Sequence, residues 1–267
     1  MSSHSTSDGS GSSRVKEYFG RLASTYGDGA YYGIRRKAVV NAIANEIAEA
    51  REILDLGCGN GAYLVEFASF AENRRLFGID LAAGMVAEAR RRLPESCRLA
   101  CGDISRLPFR SESLDLIFTS HVLQFVPDPD AAVRDAARCL KPGGYLIAAG
   151  LSDGGLRRML AQIAGVEREV TTTGAIFANM APLGFNNMNP ARHQSAFLGA
   201  GLEPKLRAAP FTIVWTDISE WVRIRWMPVI PDAERGSAEK ILAEMAHAAA
   251  GRTFAVDEPV LVGRKGN

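Results

Sequence analysis

The chain has 267 residues, with 31 basic against 30 acidic side chains and a formal charge of +1. That length suits one large α/β domain with a generous core, and so balanced a charge supplies no field to attract nucleic acid or an anionic membrane. No apolar run approaches the ~18 residues that a membrane helix needs. The four cysteines, Cys58, Cys97, Cys101 and Cys139, form no CxxC pair and have no histidine set beside them, so no metal site is expected.

The first 13 residues, MSSHSTSDGSGSS, lack the apolar core of a signal peptide and read as a disordered tail on a soluble, cytoplasmic protein. Val15 to Ser24 then reads as a helix, and Arg36 to Ala50 does so more clearly, with Val39, Ile43 and Ile47 on one stripe. The basic clusters Arg35-Arg36-Lys37, Arg74-Arg75 and Arg90-Arg91-Arg92 read as solvated helix faces. The segment Ile53-Leu54-Asp55-Leu56 has the short apolar run of a buried parallel strand. It breaks into Gly57, Gly59 and Gly61, where the missing Cβ atoms allow a sharp turn and let bare backbone approach a ligand. Ala62 to Phe70 is the helix that follows.

The alternation continues. Arg75 to Asp80 is a second strand, Met85 to Leu93 a helix stopped by Pro94, Arg98 to Asp103 a third strand, and Leu114 to Thr119 a fourth. Asp130 to Leu140 is helical, Lys141-Pro142-Gly143-Gly144 is a turn, and Tyr145 to Ala149 is a fifth strand. The rhythm fails from Leu151 to Asn189, which reads as an inserted lid with a helix near Leu156 to Ile163. It resumes with a helix at Ala191 to Gly199, a strand at Glu203 to Trp215, helices near Ile218 to Trp226 and Ala233 to Ala250, and a last strand near Glu258 to Gly263. The pattern predicts an α/β fold: a Rossmann-like, doubly wound, seven-stranded and mostly parallel sheet, with helices on both faces and a helical cap. The ligand belongs at the carboxyl ends of the strands. There Asp80 is placed to accept from both hydroxyls of a ribose, and Asp103 from an exocyclic amine beside the Ile104 backbone. Either acid alone could instead be a helix cap.

Five ordered motifs carry a resemblance: FGRLASTYGD (19–28), ILDLGCGNG (53–61), FGIDLAAGMVAEAR (77–90), GDISRLPF (102–109) and LKPGGYLI (140–147). Over residues 18–150 the chain resembles the class I S-adenosylmethionine-dependent methyltransferases, and among them the small-molecule group of the ubiquinone/menaquinone type. The resemblance implies one methyltransferase domain over 14–267, with the cofactor core at 36–150 and a substrate cap at about 151–189 and 215–250. It implies S-adenosyl-L-methionine as cofactor and a small-molecule methyl acceptor of the quinone or natural-product kind, with no nucleic acid and no membrane. Asp55, Gly57, Cys58 and Gly59 would cradle the cofactor's amino acid end, and Asp80 its ribose. Leu81 and Met85 would flank the adenine, with Asp103 and Ile104 reading its edge. Ser120 would lie near the methionine portion, and Tyr26 would close over the site or simply pack as an aromatic.

Methyl transfer by in-line displacement needs alignment more than functional groups, and needs a base only when the acceptor carries a proton. His121, directly after the fourth strand, is the first candidate base and His193 the second; each also reads as a structural histidine. Many members of the group carry a His-His pair before the Pro-Asp that opens the next helix, where this chain has Gln124 and Phe125. Its acceptor is therefore an amine, carbon or carboxylate needing little base, or His121 serves instead. Phe177, Met180, Phe185, Met188, Trp215, Trp221, Trp226 and Met227 would wall an apolar or aromatic substrate or fill the cap's own core.

Three rival readings remain at this level. Gly57 to Ala62 also satisfies the G-x-G-x-x-A of a nicotinamide-dependent oxidoreductase, though Asp55 and the GDI and LKPGG segments are unexplained by it. A nucleic acid methyltransferase would carry Asn/Asp-Pro-Pro-aromatic where this chain has Thr119-Ser120-His121-Val122. A non-catalytic protein that binds the cofactor would keep the same glycine turn.

Overall fold

The computed structural model describes residues 8–27, 29–70, 73–150, 188–225 and 232–266. In chain order these form α1 (Asp8–Leu22), α2 (Ala30–Ala42), α3 (Ala44–Glu49), β1 (Glu52–Leu56), α4 (Ala62–Ala68), β2 (Arg75–Asp80), α5 (Ala83–Arg92), β3 (Arg98–Cys101) and β4 (Leu114–Ser120). After a single 3-10 turn at Leu123–Phe125 come α6 (Pro129–Cys139), β5 (Leu140–Ala149), α7 (Pro190–Gly199), β6 (Leu202–Val214), α8 (Trp215–Arg225), α9 (Asp232–Ala248) and β7 (Thr253–Lys265).

The sheet has seven strands in the order β3-β2-β1-β4-β5-β7-β6. The first five are parallel, and β7 enters antiparallel between β5 and β6. Strand order reverses between β1 and β4, the switch point where such sheets open a crevice. One face is packed by α6 and α7, through Val133, Ala136 and Phe197; the other by α2 to α5, through Val39, Ile47, Leu64, Phe67 and Ala89. Burial on both faces explains why β1 and β4 read as continuous apolar runs.

Tertiary contacts redraw several boundaries. The reading of 1–13 as a structureless tail fails from Asp8 onward, where α1 already runs. Its Ser- and Gly-rich start has poor helix propensity, so docking stabilises it. Val15 is buried against Phe19, Leu81 and Phe125, and α1 crosses α5 so closely that a Cβ on Gly84 would lie 3.0 Å from the Gly20 carbonyl oxygen. The helix expected over 36–50 breaks at Ile43 (φ −122°) into α2 and α3. The carbonyl of Ala42 accepts from Arg207, whose guanidinium also pairs with Glu46.

Lys141 to Gly144, expected as a free turn, lie inside β5 as a bulge in its pairing with β4. Lys141 binds Glu52 (2.6 Å) and Asp115 (2.7 Å) there, and a Cβ on Gly144 would meet the Asp115 carbonyl oxygen at 2.9 Å. The strand expected at 258–263 is the 13-residue β7, because β6 pairs with it along its whole length.

The helices of 215–250 pack over the far end of this hairpin, where Trp215, Ile218, Leu242 and Met245 enclose Phe211, Ile213 and Phe254. Trp215 thus fills a core of its own, and Met188 is likewise buried, beside Phe197. The expected helix at 156–163, with Phe177, Met180, Phe185, Trp226, Met227 and the side chain of Trp221, lies outside the described residues.

Candidate functional site

A cavity of about 690 Å³, counted to its open mouth, lies at the carboxyl ends of β1 to β4. Its floor is backbone. The chain leaves β1 with Gly57 at φ +77° and Gly59 at φ +53°, a region that side chains seldom enter. A Cβ on Gly57 would fall 2.3 Å from a methyl of Val122, so glycine is required by the loop after β4 as well as by any ligand. The backbone N–H of Gly57 and of Cys58 donate to the Ile79 carbonyl (2.8 and 3.0 Å), and Thr119 Oγ1 to that of Leu56 (3.0 Å).

Asp80, at the tip of β2, ties this floor together: Oδ2 accepts from the Gly59 N–H and Oδ1 from the Ala82 N–H, each at 2.8 Å. Burial raises its pKa, and those two N–H groups oppose the shift. Asp103 lines the next part of the cavity, beside Ile104, Leu81 and Met85. Contrary to expectation it lies past β3, which ends at Cys101 as the Gly102 N–H turns back to the Asp80 carbonyl. One of its oxygens accepts from both the N–H and the hydroxyl of Ser105 (2.8 Å each) in a turn that no helix follows, so the helix cap weighed as the alternative is not formed; Asp103 is exposed.

Above the floor stands an apolar roof: Val15 and Phe19 from α1, Tyr26 just beyond it, and Phe125, Val126 and Pro127 after β4. Phe19 meets Phe125 and Tyr26 edge to face at 5.3 and 5.8 Å, the favoured aromatic geometry. Asn60 donates to the Tyr26 carbonyl and so ties the roof's hinge to the floor.

Of the residues expected at the site, Tyr26, Gly57, Gly59, Asp80, Leu81, Met85, Asp103, Ile104, Ser120 and His121 line this one cavity. His121 is exposed there, at φ +57°, strain of a kind that collects at functional sites. Its ring lies against Gly150, where a Cβ would stand 2.6 Å away.

Three expected residues do not line it. Cys58 is buried under the floor, its thiol pKa pushed up by that burial. Asp55 is buried in β1, and its Oδ2 is the one buried side-chain oxygen among the described residues with no partner. Burial, and then the neighbouring charge of Asp80, raise its pKa well above the ordinary carboxylate range. His193 is buried in the first turn of α7, with Nδ1 3.1 Å from the Asn189 carbonyl oxygen; burial lowers its pKa. The structure does not bring it to the cavity.

The sequence reading also missed a buried polar group beneath Ser120. Arg35, expected on a solvated face, is 4% exposed and pairs with Glu258 of β7 at 2.6 Å. It donates to Tyr63 Oη and Ser120 Oγ, both at 3.4 Å. Burial raises the pKa of Tyr63 and of nearby Tyr31. No local pattern could reveal a partner 223 positions away; the one hint was an acid heading an apolar strand. Among the described residues no group of histidines, cysteines and carboxylates could hold a metal ion, and no helix is long and apolar enough to cross a membrane.

A scan against family models matches residues 54–148 to the family described as a methyltransferase domain. Residues 54–148 carry a methyltransferase domain. The domain is 32% identical over 146 residues to a biotin biosynthesis bifunctional protein, BioHC, of Cellvibrio japonicus, covering 54% of this chain and 28% of that one. It is 32% identical over 145 residues to a malonyl-[acyl-carrier protein] O-methyltransferase of Alcanivorax borkumensis, covering 52% and 48%. The chain thus spans about a quarter to a half of the length of these curated relatives. Its fold is shared with an S-adenosylmethionine-dependent methyltransferase of Mesorhizobium loti, at TM-score 0.51 and 16% identity over 87% of this chain and 99% of that one.

S-adenosylmethionine is the cofactor of this domain, and the residues present fit it. The floor is a cradle that Cβ atoms would fill, and Asp80, which lines the cavity, offers lone pairs to a diol.

Proposed function

We propose that this protein transfers a methyl group from S-adenosylmethionine to a small apolar or aromatic acceptor. The observation that carries this reading is the convergence, on one cavity, of the glycine floor, the carboxylates of Asp80 and Asp103, and an apolar roof. When bound, the cofactor supplies a methyl carbon activated by a positive sulfonium. The protein's part is alignment and exclusion of water. Asp80 holds the ribose and Gly57 and Gly59 the amino acid end, while Leu81, Met85 and Ile104 enclose the adenine. Val15, Phe19 and Phe125 face the acceptor.

His121 lines the cavity, exposed, just past the end of β4, and it takes the acceptor's proton where one must leave. Phe125 lies in the roof and Gln124 is buried; neither can serve as base. A second reading follows from the relatives named as malonyl-[acyl-carrier protein] O-methyltransferases: a carboxylate acceptor, already deprotonated, needs no base at all.

Calorimetry tests the cofactor. Micromolar binding of S-adenosylmethionine or its demethylated product is expected; binding of a nicotinamide dinucleotide instead would replace the reading with the oxidoreductase alternative. Labelled cofactor with extracts of the host identifies the acceptor, and no labelled product at all would leave a cofactor-binding protein without transfer. With the acceptor in hand, His121→Ala should lower turnover about 100-fold while cofactor affinity holds. Unchanged turnover would favour the carboxylate acceptor.

A further inference from the structure

Two residues with left-handed backbone face each other just past the ends of β4 and β5: His121 at φ +57° and Gly150 at φ +71°. Glycine adopts that conformation freely, whereas histidine is strained in it. Glycine or asparagine at 121 would make the same turn more cheaply, so the backbone alone gives no reason for an imidazole here.

Strain of this kind persists only where the surroundings fix it. They do so from both sides. The His121 N–H donates to the Ala149 carbonyl at 3.2 Å, continuing the pairing of Ser120 with Ala149. One residue on, Val122 fills the space above Gly57, and its carbonyl accepts from the Phe125 N–H at 2.8 Å. The left-handed step thus lays two successive side chains over two different strand ends, Val122 over that of β1 and His121 over that of β5. Both line the cavity.

Gly150 decides how the ring lies. A Cβ built on it would stand 2.6 Å from each of Cγ, Cδ2 and Nδ1 of His121. A point equally far from three atoms of a five-membered ring lies over the ring's centre, so the imidazole rests face-down on the Gly150 backbone. The basic lone pair of an imidazole lies in the ring plane. Fixing that plane therefore fixes the direction from which a proton can be taken. Ordinary carbon contact is about 3.5 Å, so even a methyl group at 150 would push the ring off its seat by about 1 Å, a displacement large enough to matter to a positioned group.

We infer that Gly150 is a positioning residue for His121, a side-chain-free seat that holds the plane of the imidazole toward the acceptor. This rests on the reading of His121 as base, and the experiment separates the two. Methyl transfer to the acceptor found by labelling is measured for the wild type, Gly150→Ala, His121→Ala and the double variant. The ring itself is followed by NMR, through the Overhauser contact between the His121 Hδ2 proton and the Gly150 α-protons. Gly150→Ala should lower kcat about tenfold, leave the acceptor KM and the affinity for S-adenosylhomocysteine within about twofold, and have no further effect on His121→Ala. An unchanged kcat in Gly150→Ala, or the same fall with and without the imidazole, would show that Gly150 serves only the backbone and would overturn the inference. Should Gly150→Ala not fold, the wild type decides: the ring contact with the Gly150 α-protons supports the seat, and its absence with S-adenosylhomocysteine bound is equally fatal. An unchanged kcat in His121→Ala overturns the base reading itself, and the seat with it.

Discussion

The floor of the cavity, made by the turns after β1, β2 and β4, is held by backbone hydrogen bonds to Ile79 and Asp80 and by glycines with no room for a Cβ. The roof, made by α1 and the turn at Leu123–Phe125, is held by side chains, chiefly the edge-to-face contacts of Phe19. Backbone contacts tolerate little change in sequence, whereas a roof of apolar side chains can be recut one residue at a time. A constant cofactor belongs on the first kind of surface and a variable acceptor under the second.

The sharpest way to break this contrast is Gly57→Val. A β-branched side chain at φ +77°, overlapping Val122, should cost roughly 4 kcal/mol or more, seen as a lower midpoint in urea unfolding. Wild-type stability would show that the loop after β4 yields and that the floor is no more rigid than the roof. Asp80→Ala comes next, with about 2–4 kcal/mol of cofactor affinity lost in calorimetry along with the tie to Gly59. The same carboxylate predicts a pH dependence. Its pKa is raised, so as pH falls through that value the group gains a proton and loses acceptor capacity, and affinity should weaken in mild acid where an ordinary carboxylate would still be ionised.

Phe19→Ala should raise the KM for the acceptor about tenfold and leave cofactor affinity within about twofold. An equal loss of both would mean that the roof and the floor act as one unit. The smallest effect lies outside the cavity. His193 is held neutral by burial, with its folded pKa below the unfolded one, so the unfolded chain binds the extra proton. Stability should be complete above the unfolded pKa and decline as pH drops below it. His193→Gln should flatten Tm against pH over that range, and a persistent slope would assign it to another group.

The floor was legible because its information is local. A strand, a glycine turn and an acid at the next strand's tip occupy contiguous residues, and the parallel order follows from their alternation. The roof was only half legible: Phe19 and Tyr26 lay in one motif, but Val15 showed its role only once α1 crossed α5 at Gly20 and Gly84. His193 read as a second candidate base or a structural histidine at a helix start, and only the packing of α7 beside α6 and β6 decided for the buried, structural one.

Taken by itself, the sequence determined the alternating sheet, the glycine floor and the carboxylates that flank it, because each is set by backbone geometry over a few neighbouring residues. Only the tertiary structure decided that Lys141 to Gly144 form a bulge and that Trp215 belongs to a core of its own. It alone joined Arg35 to Glu258 beneath Ser120. Those outcomes depend on residues far apart in the chain, and which buried charge meets which partner is settled only when the helices have packed on the sheet.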